Sequence, residues 1–376
     1  MQPGSASIDQ LSVPVPASLN QITRNLAGMG SNRNSERISD QTAPPDSMDG
    51  AGAIAACPAG IAGAFKVVGG QIIEPNGLKF IARGVNLHDF EMAEAVSSLT
   101  KVFTGLNFVR VNIHSYDAPN KYRLFVERMT AKGIVVVFED HPDAGGGDAS
   151  GKNVFTGSQL AAESAWYGSM AKAYANNPYV WFGTYNEPPT KGGSLSQWQS
   201  ATYNAIRGTG NNNPILLQVS GSDPSNLNTA LEPSAYARMT NTIWDVHVYG
   251  YQSKFSTDQA AVNASVAAMV AAAQQIKSAE GVMPVIIGEY GNSTDGTSVD
   301  PNGTQLVTAV VEAGISNKFG SAAWAWKPGG AADHLLDANG KPSYPYGQQV
   351  QRYINSRIDP RVKCQMDRQS EPLNKP

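Results

Sequence analysis

Charge is scarce and balanced in this chain. Only 16% of its 376 residues are charged, 28 Lys and Arg against 31 Asp and Glu, for a formal net charge of -3. That balance argues against a nucleic-acid coat or a polybasic membrane binder. No apolar run approaches the ~20 residues of a membrane span. Cysteine is nearly missing: Cys57 and Cys364 stand far apart, without the closely spaced Cys and His ligands of a zinc site. They are compatible with one disulfide or with two free thiols, because composition does not set the redox compartment. A dinucleotide-binding Gly-x-Gly-x-x-Gly is absent after the first long apolar segment, which ends Arg83-Gly84-Val85-Asn86-Leu87-His88. Gly146-x-x-x-x-Gly151-Lys152 falls short of a phosphate loop, with Asn153 where Ser or Thr must hold magnesium. What is plentiful is glycine (37) and proline (23), short of general disorder but enough for many loops. These bounds describe a loop-rich globular enzyme.

Residues 1–56 read as a disordered leader. Ser and Pro recur in them and long apolar side chains are few, so too little surface can be buried to offset ordering entropy. A basic start followed by an apolar core, the mark of an ordinary secretory signal, is missing. The Ser-rich, Cys-free composition resembles bacterial type III export signals. The folded region is expected over 57–364, with a tail over 365–376. It opens with Phe65-Lys-Val-Val, Gly69-Gly70 and Gln71-Ile-Ile, the pattern of a hairpin with a Gly-Gly turn. Eight apolar runs follow: 80–86, 108–113, 134–139, 180–185, 215–219, 243–249, 285–289 and 321–326. Each pair is separated by room for a helix. The clearest helix starts at Asp258, is rich in Ala through Ala273, and is expected to end at Gly281 before Pro284. Eight strand–helix alternations predict a single (β/α)8 barrel behind an N-terminal hairpin.

In such a barrel the chemistry sits at the carboxyl ends of the strands. Period-two alternation puts Arg110, Asn112 and His114 on one face, Glu139 and His141 on another, and Asp245, His247 and Tyr249 on a third. Four of the five histidines, His88, His114, His141 and His247, fall at strand ends. Two carboxylates stand out there. Glu187 follows the fourth run in Asn186-Glu187-Pro188, and Glu289 ends the seventh. Glycosidic cleavage needs such a pair, one protonated to release the leaving oxygen and one ionised to attack or to activate water. Trp and Tyr at the mouth offer flat faces for sugar rings. A metal-dependent barrel hydrolase would want a His-x-His pair after strand one, yet His88 stands alone there and strand five has no His. No metal or other cofactor is therefore expected.

Taken in order, Arg110 in Phe-Val-Arg-Val, His141 in Glu-Asp-His, Asn186-Glu187-Pro188, His247-Val-Tyr249, Glu289 in Ile-Gly-Glu-Tyr-Gly and Trp326 resemble glycoside hydrolase family 5, the cellulase and mannanase group. The Phe80-Ile-Ala-Arg-Gly-Val-Asn86 opening and the hairpin match too, so the resemblance covers roughly residues 62–357. It implies a retaining double displacement, with Glu289 as nucleophile and Glu187 as general acid/base. Arg110 and Tyr249 would orient Glu289, Asn186 would bind the sugar 2-hydroxyl, and His141, His247 and His88 would contact substrate. Trp326 would floor the subsite, with Trp324 as the rival for that place. The substrate implied first is β-1,4-glucan, cleaved internally. The alternatives are an endo-β-mannanase, another β-glycanase, or a silent carbohydrate-binding barrel. The expected partner is a polysaccharide, with no nucleic acid and no membrane, met by a monomer. The expected location is outside a bacterial cell, reached by a route without an ordinary signal peptide.

Overall fold

The computed structural model describes residues 63–141, 155–189, 192–222, 232–250, 258–293, 296–316, 318–327 and 329–356. The leader, both cysteines, the segment 146–153 and the C-terminal tail lie outside the described residues. Strands β1 (Lys66–Val68) and β2 (Gln71–Ile73) pair antiparallel across Gly69-Gly70. Both glycines adopt positive φ, 56° and 75°, the turn conformation a side chain would resist.

The next six strands are β3 (Arg83–His88), β4 (Phe108–Ile113), β5 (Val135–Asp140), β6 (Val180–Gly183), β7 (Ile215–Gln218) and β8 (Thr242–Tyr249). A small hairpin, β9 (Lys277–Ser278) with β10 (Gly281–Val282), precedes β11 (Val285–Gly291) and β12 (Gly320–Ala323). Strands β3 to β8, β11 and β12 close into an all-parallel barrel, with β12 beside β3. Helices cross between successive strands, so the fold is a (β/α)8 barrel. Asp258 caps the helix Gln259–Ala273 as expected, its Oδ1 accepting from the Ala260 N–H at 3.2 Å. That helix ends well before Gly281, whose φ of 90° serves the β9–β10 turn instead.

Alternation sorts each barrel strand into an outer row against the helices and an inner row along the axis. The inner row starts apolar at the base and turns polar toward the mouth. Phe108 leads to Arg110 and Asn112, Val135 and Val137 to Glu139, Leu216 to Gln218, and Ile243 to Asp245 and His247. Phe65, just before the hairpin, closes the base. It meets Phe80, Tyr179 and Trp181 edge-on with centroids 4.9–5.4 Å away and joins Phe108 and Ile286 in one buried cluster. The apolar base thus lies beneath the polar upper layer and closes the lower end of the barrel.

Strand β11 breaks the alternation at the place that matters. A strict period of two would turn Glu289 outward with Val285 and Ile287, which pack in the helix-facing core. A bulge between Ile287 and Glu289 shifts the register, so Glu289 pairs with His247 and faces inward. The extra residue is Gly288. A Cβ there would lie 1.8 Å from the Asp245 Oδ1, so the bulge accommodates only glycine beside that carboxylate.

The base plug is testable by itself. Phe65→Ala is expected to cost about 3–5 kcal/mol, the usual range for removing a buried ring, read from the midpoint of denaturant unfolding. An unchanged midpoint would show that the hairpin only decorates the barrel.

Candidate active site

Arg110 occupies the centre of the upper layer, fully buried. Its Nη1 donates to Glu289 Oε1 at 2.7 Å, Asn86 Oδ1 at 2.9 Å and Asn112 Oδ1 at 3.1 Å. Its Nη2 donates to Glu139 Oε2 at 2.7 Å and Asn186 Oδ1 at 2.8 Å. Its Nε lies 3.3 Å from Asp245 Oδ2. Burial works against the guanidinium charge, but Glu139, Asp245 and Glu289 outweigh it and raise the pKa above the usual range.

One cation cannot balance three buried carboxylates, and the cluster answers by keeping protons. Burial pushes Glu139 up to about 8 against the pull of Arg110, and Asp245 up to about 6. A pKa raised in this way favours the protonated form of Glu139. Its Oε2 already accepts from Arg110 and from Gln218 Nε2 at 3.2 Å, which leaves the proton for Oε1. There it meets His141 Nδ1 at 2.8 Å. Burial lowers His141 to about 4, so the ring is neutral, and a protonated Glu139 would make Nδ1 the acceptor and leave the hydrogen on Nε2.

Glu289 is 6% exposed. Its Oε2 accepts from the Tyr249 hydroxyl at 2.8 Å while Oε1 faces Arg110. Donors on both oxygens suit an ionised, oriented carboxylate. Glu187 is different: its side chain is 42% exposed, it follows the end of β6, and its φ is 44°, a left-handed conformation rare outside glycine. Burial by its surroundings raises its pKa, opposed by His141 and Arg110. His247 Nδ1 lies 2.8 Å from Glu187 Oε1 and 3.6 Å from Glu289 Oε2, and burial lowers its pKa, keeping the ring neutral. One oxygen each of Glu187 and Glu289 and one His247 nitrogen all lie within 4.8 Å of one another. The Glu289 oxygen 3.6 Å from His247 is Oε2, which already accepts from Tyr249, while Arg110 holds Oε1. Asn186 commits its oxygen to Arg110, which leaves its amide hydrogens as donors.

The mouth is walled with rings. Trp324 stacks on His141 with centroids 5.8 Å apart at 12°, and meets His88 edge-on at 5.4 Å. His88 Nδ1 lies 2.8 Å from His114 Nε2, and burial drives its pKa down to about 3. The structure thus brings together Arg110, His141, Asn186, Glu187, His247, Tyr249 and Glu289, with His88 at the rim. Trp326 does not join them. It is 1% exposed and packs in the helix-facing core, whereas the half-buried Trp324 lines the mouth. Strand β12 ends at Ala323, so alternation says nothing about the two tryptophans beyond it. Asn86, Asp245 and Gln218 also belong to the site. Their inward positions on strands were the available signal, but single polar residues on a strand carry no motif.

A barrel whose mouth holds two adjacent carboxylates, one oriented by a cation and one half-exposed beside a neutral histidine, is that of a glycosidase. A family model described as Cellulase (glycosyl hydrolase family 5) matches residues 74–330, and the chain belongs to that family of glycoside hydrolases. A mannan endo-1,4-beta-mannosidase of Streptomyces lividans is 25% identical over 291 residues, 73% of this chain and 69% of that protein. Another, from Cellvibrio japonicus, is 24% identical over 287 residues, 73% of this chain and 61% of its own length. In fold, the chain resembles a beta-mannanase from Streptomyces thermolilacinus solved with mannohexaose, with a TM-score of 0.59 at 20% identity, over 79% of this chain and 97% of that one. The catalytic domain of a Thermobifida fusca endoglucanase gives 0.58 at 16% identity, over 78% and 97%.

Two measurements test this geometry. Trp326→Ala is expected to lower stability by about 3–5 kcal/mol, whereas Trp324→Ala should leave unfolding nearly unchanged and raise KM. The reverse pattern would restore Trp326 to the mouth. The second concerns the buried proton. The folded pKa of Glu139 lies above the unfolded value, so its stabilisation is full below about 4.5 and is lost as pH rises through about 8. The thermal midpoint should fall over that window, and Glu139→Gln, which mimics the protonated acid, should flatten the fall. Parallel curves for the two proteins would mean that Glu139 is ionised in the folded state.

Proposed function

We propose that the protein is a retaining endo-β-1,4-mannanase, with Glu289 as nucleophile and Glu187 as general acid/base. The approach of the two carboxylates supports the mechanism. Retaining glycosidases hold their carboxyl groups about 5–5.5 Å apart, while inverting ones leave about 6.5–9.5 Å for a water, and oxygens of Glu187 and Glu289 within 4.8 Å of each other suit the shorter spacing. Glu289 attacks the anomeric carbon as the glycosidic bond breaks, and Glu187 gives its proton to the departing oxygen. Its raised pKa suits that duty. Water then attacks the glycosyl–enzyme bond, gives its proton to Glu187 and releases Glu289. Two inversions restore the starting configuration.

Around the reacting sugar, the free amide hydrogens of Asn186 are placed to donate to the 2-hydroxyl, and the Nε2–H of His141 offers a second donor. Trp324 supplies an apolar face, taking the place first assigned to Trp326. Mannan is preferred over the β-1,4-glucan that the sequence pattern put first, because two relatives aligned over most of this chain carry a mannan-cleaving name. The barrel itself does not discriminate, since mannanase and endoglucanase structures match it almost equally. A polymeric substrate implies work outside the cell, and a monomer suffices for it.

Reducing-sugar release should be measured on mannan, cellulose derivatives, xylan and mixed-linkage glucan. Release is expected on mannan, and Glu289→Gln should cut it by about 10³-fold or more while oligosaccharide binding persists. Release on glucan alone would overturn the substrate. Binding without release by the unaltered protein would make it a carbohydrate-binding barrel.

A further inference from the structure

Gln218 ends β7 with its side chain fully buried beneath the two carboxylates. Its Oε1 accepts from the main-chain N–H of Glu187 at 2.7 Å and from the Ser222 hydroxyl at 2.5 Å. Its Nε2 donates to Glu139 Oε2 at 3.2 Å and to Asp245 Oδ2 at 3.3 Å. The amide orientation is fixed by this set, since a flip would turn a donor onto the Glu187 N–H and an acceptor onto two acidic groups. The residue is itself held. Its N–H donates to Thr184 Oγ1 at 3.2 Å, and its carbonyl accepts from the Gln199 amide, whose Oε1 accepts from the Tyr236 hydroxyl at 2.6 Å.

Both residues tied to Oε1 are strained. Glu187 (φ 44°) and Ser222 (φ 49°) are two of three non-glycine residues with positive φ among the described residues. Such conformations are unfavourable by themselves and persist only where the surroundings over-determine them. One amide oxygen supplies the constraint to both. The other end of the same amide grips Glu139 and Asp245, which flank Arg110 and so share the cation that orients Glu289.

We propose that Gln218 is the positioning residue for the acid/base carboxylate, locking the Glu187 main chain in its left-handed turn and tying it to the ionic cluster under the nucleophile. This rests on the reading of Glu187 as acid/base. Without Oε1 the Glu187 N–H loses its partner, the turn relaxes toward ordinary φ, and the carboxyl leaves the line of the glycosidic oxygen. The deficit is then confined to proton delivery. A sugar alkoxide needs that proton to depart, whereas a dinitrophenolate departs unaided. A general loosening of the barrel would slow both substrates alike.

The test compares kcat/KM on mannohexaose and on dinitrophenyl β-mannobioside, or on the cello-oligosaccharide counterparts if glucan proves to be the polymer cleaved. Glu187→Ala is run first. Equal losses on the two substrates would sink the acid/base reading itself. With that variant selective, Gln218→Met, similar in size but without either hydrogen-bonding end, is expected to lose about 10²-fold on the hexaose, the cost of a displacement near 1 Å. It should lose under about 3-fold on the aryl glycoside, the same selectivity as Glu187→Ala and on the same scale of transition-state loss. Equal losses on both substrates, or none on either, would overturn the proposal. Should Gln218→Met fail to fold, Ser222→Ala decides. Removing that one hydroxyl is expected to give a smaller, about 5-fold loss on the hexaose alone, and no selectivity in that variant would overturn the proposal equally.

Discussion

A buried guanidinium facing three carboxyl groups is the constraint around which this barrel is arranged. Arg110 touches Glu139, Asp245 and Glu289, and breaking any of these pairs would strand a charge away from water. The surrounding strands accordingly supply neutral partners. Asn86, Asn112 and Asn186 all turn their oxygens toward the same cation. Asn86 in turn donates to the Gly288 carbonyl at 2.8 Å, which fastens the bulge carrying Glu289. The cluster thus does two jobs. It fixes where Glu289 points, and its burial raises the pKa of Glu139 and Asp245 beside it.

The division of labour between the two functional carboxylates follows from where each lies relative to this cluster. Glu289 is inside it and receives a donor on each oxygen. Glu187 is outside it, half-exposed in a strained turn, with a neutral histidine for company. The contrast in environment is the physical basis of the proposed roles, Glu289 as nucleophile and Glu187 as acid/base. Gln218 links the two environments through a single amide, which is why it stands out among the buried polar residues.

Much of this was legible in the order of residues. Eight apolar runs spaced by helices announced the barrel, Gly69-Gly70 announced its hairpin, and the polar ends of the strands announced the mouth. Legibility failed where local geometry departs from a fixed period. Glu289 faces inward only because Gly288 is an extra residue, and no periodic reading shows a bulge. Trp324 and Trp326 lie past the end of β12, where alternation has stopped, so the wrong one was placed at the mouth. Gly281 looked like a helix end and proved to be a hairpin turn, since a left-handed glycine suits both. Gln218 belongs to no motif at all, and its importance lies in four contacts that only the fold brings together.

The sealed base has a consequence for how charge is shared inside the barrel. Phe65, Phe80 and Trp181 fill its lower part, and Glu139 and Asp245 lie buried above them. Any change of charge on either group falls on Arg110, which touches both, and through it on Glu289. The buried layer thus passes a change of pH upward as a change in how tightly the carboxylate at the mouth is held.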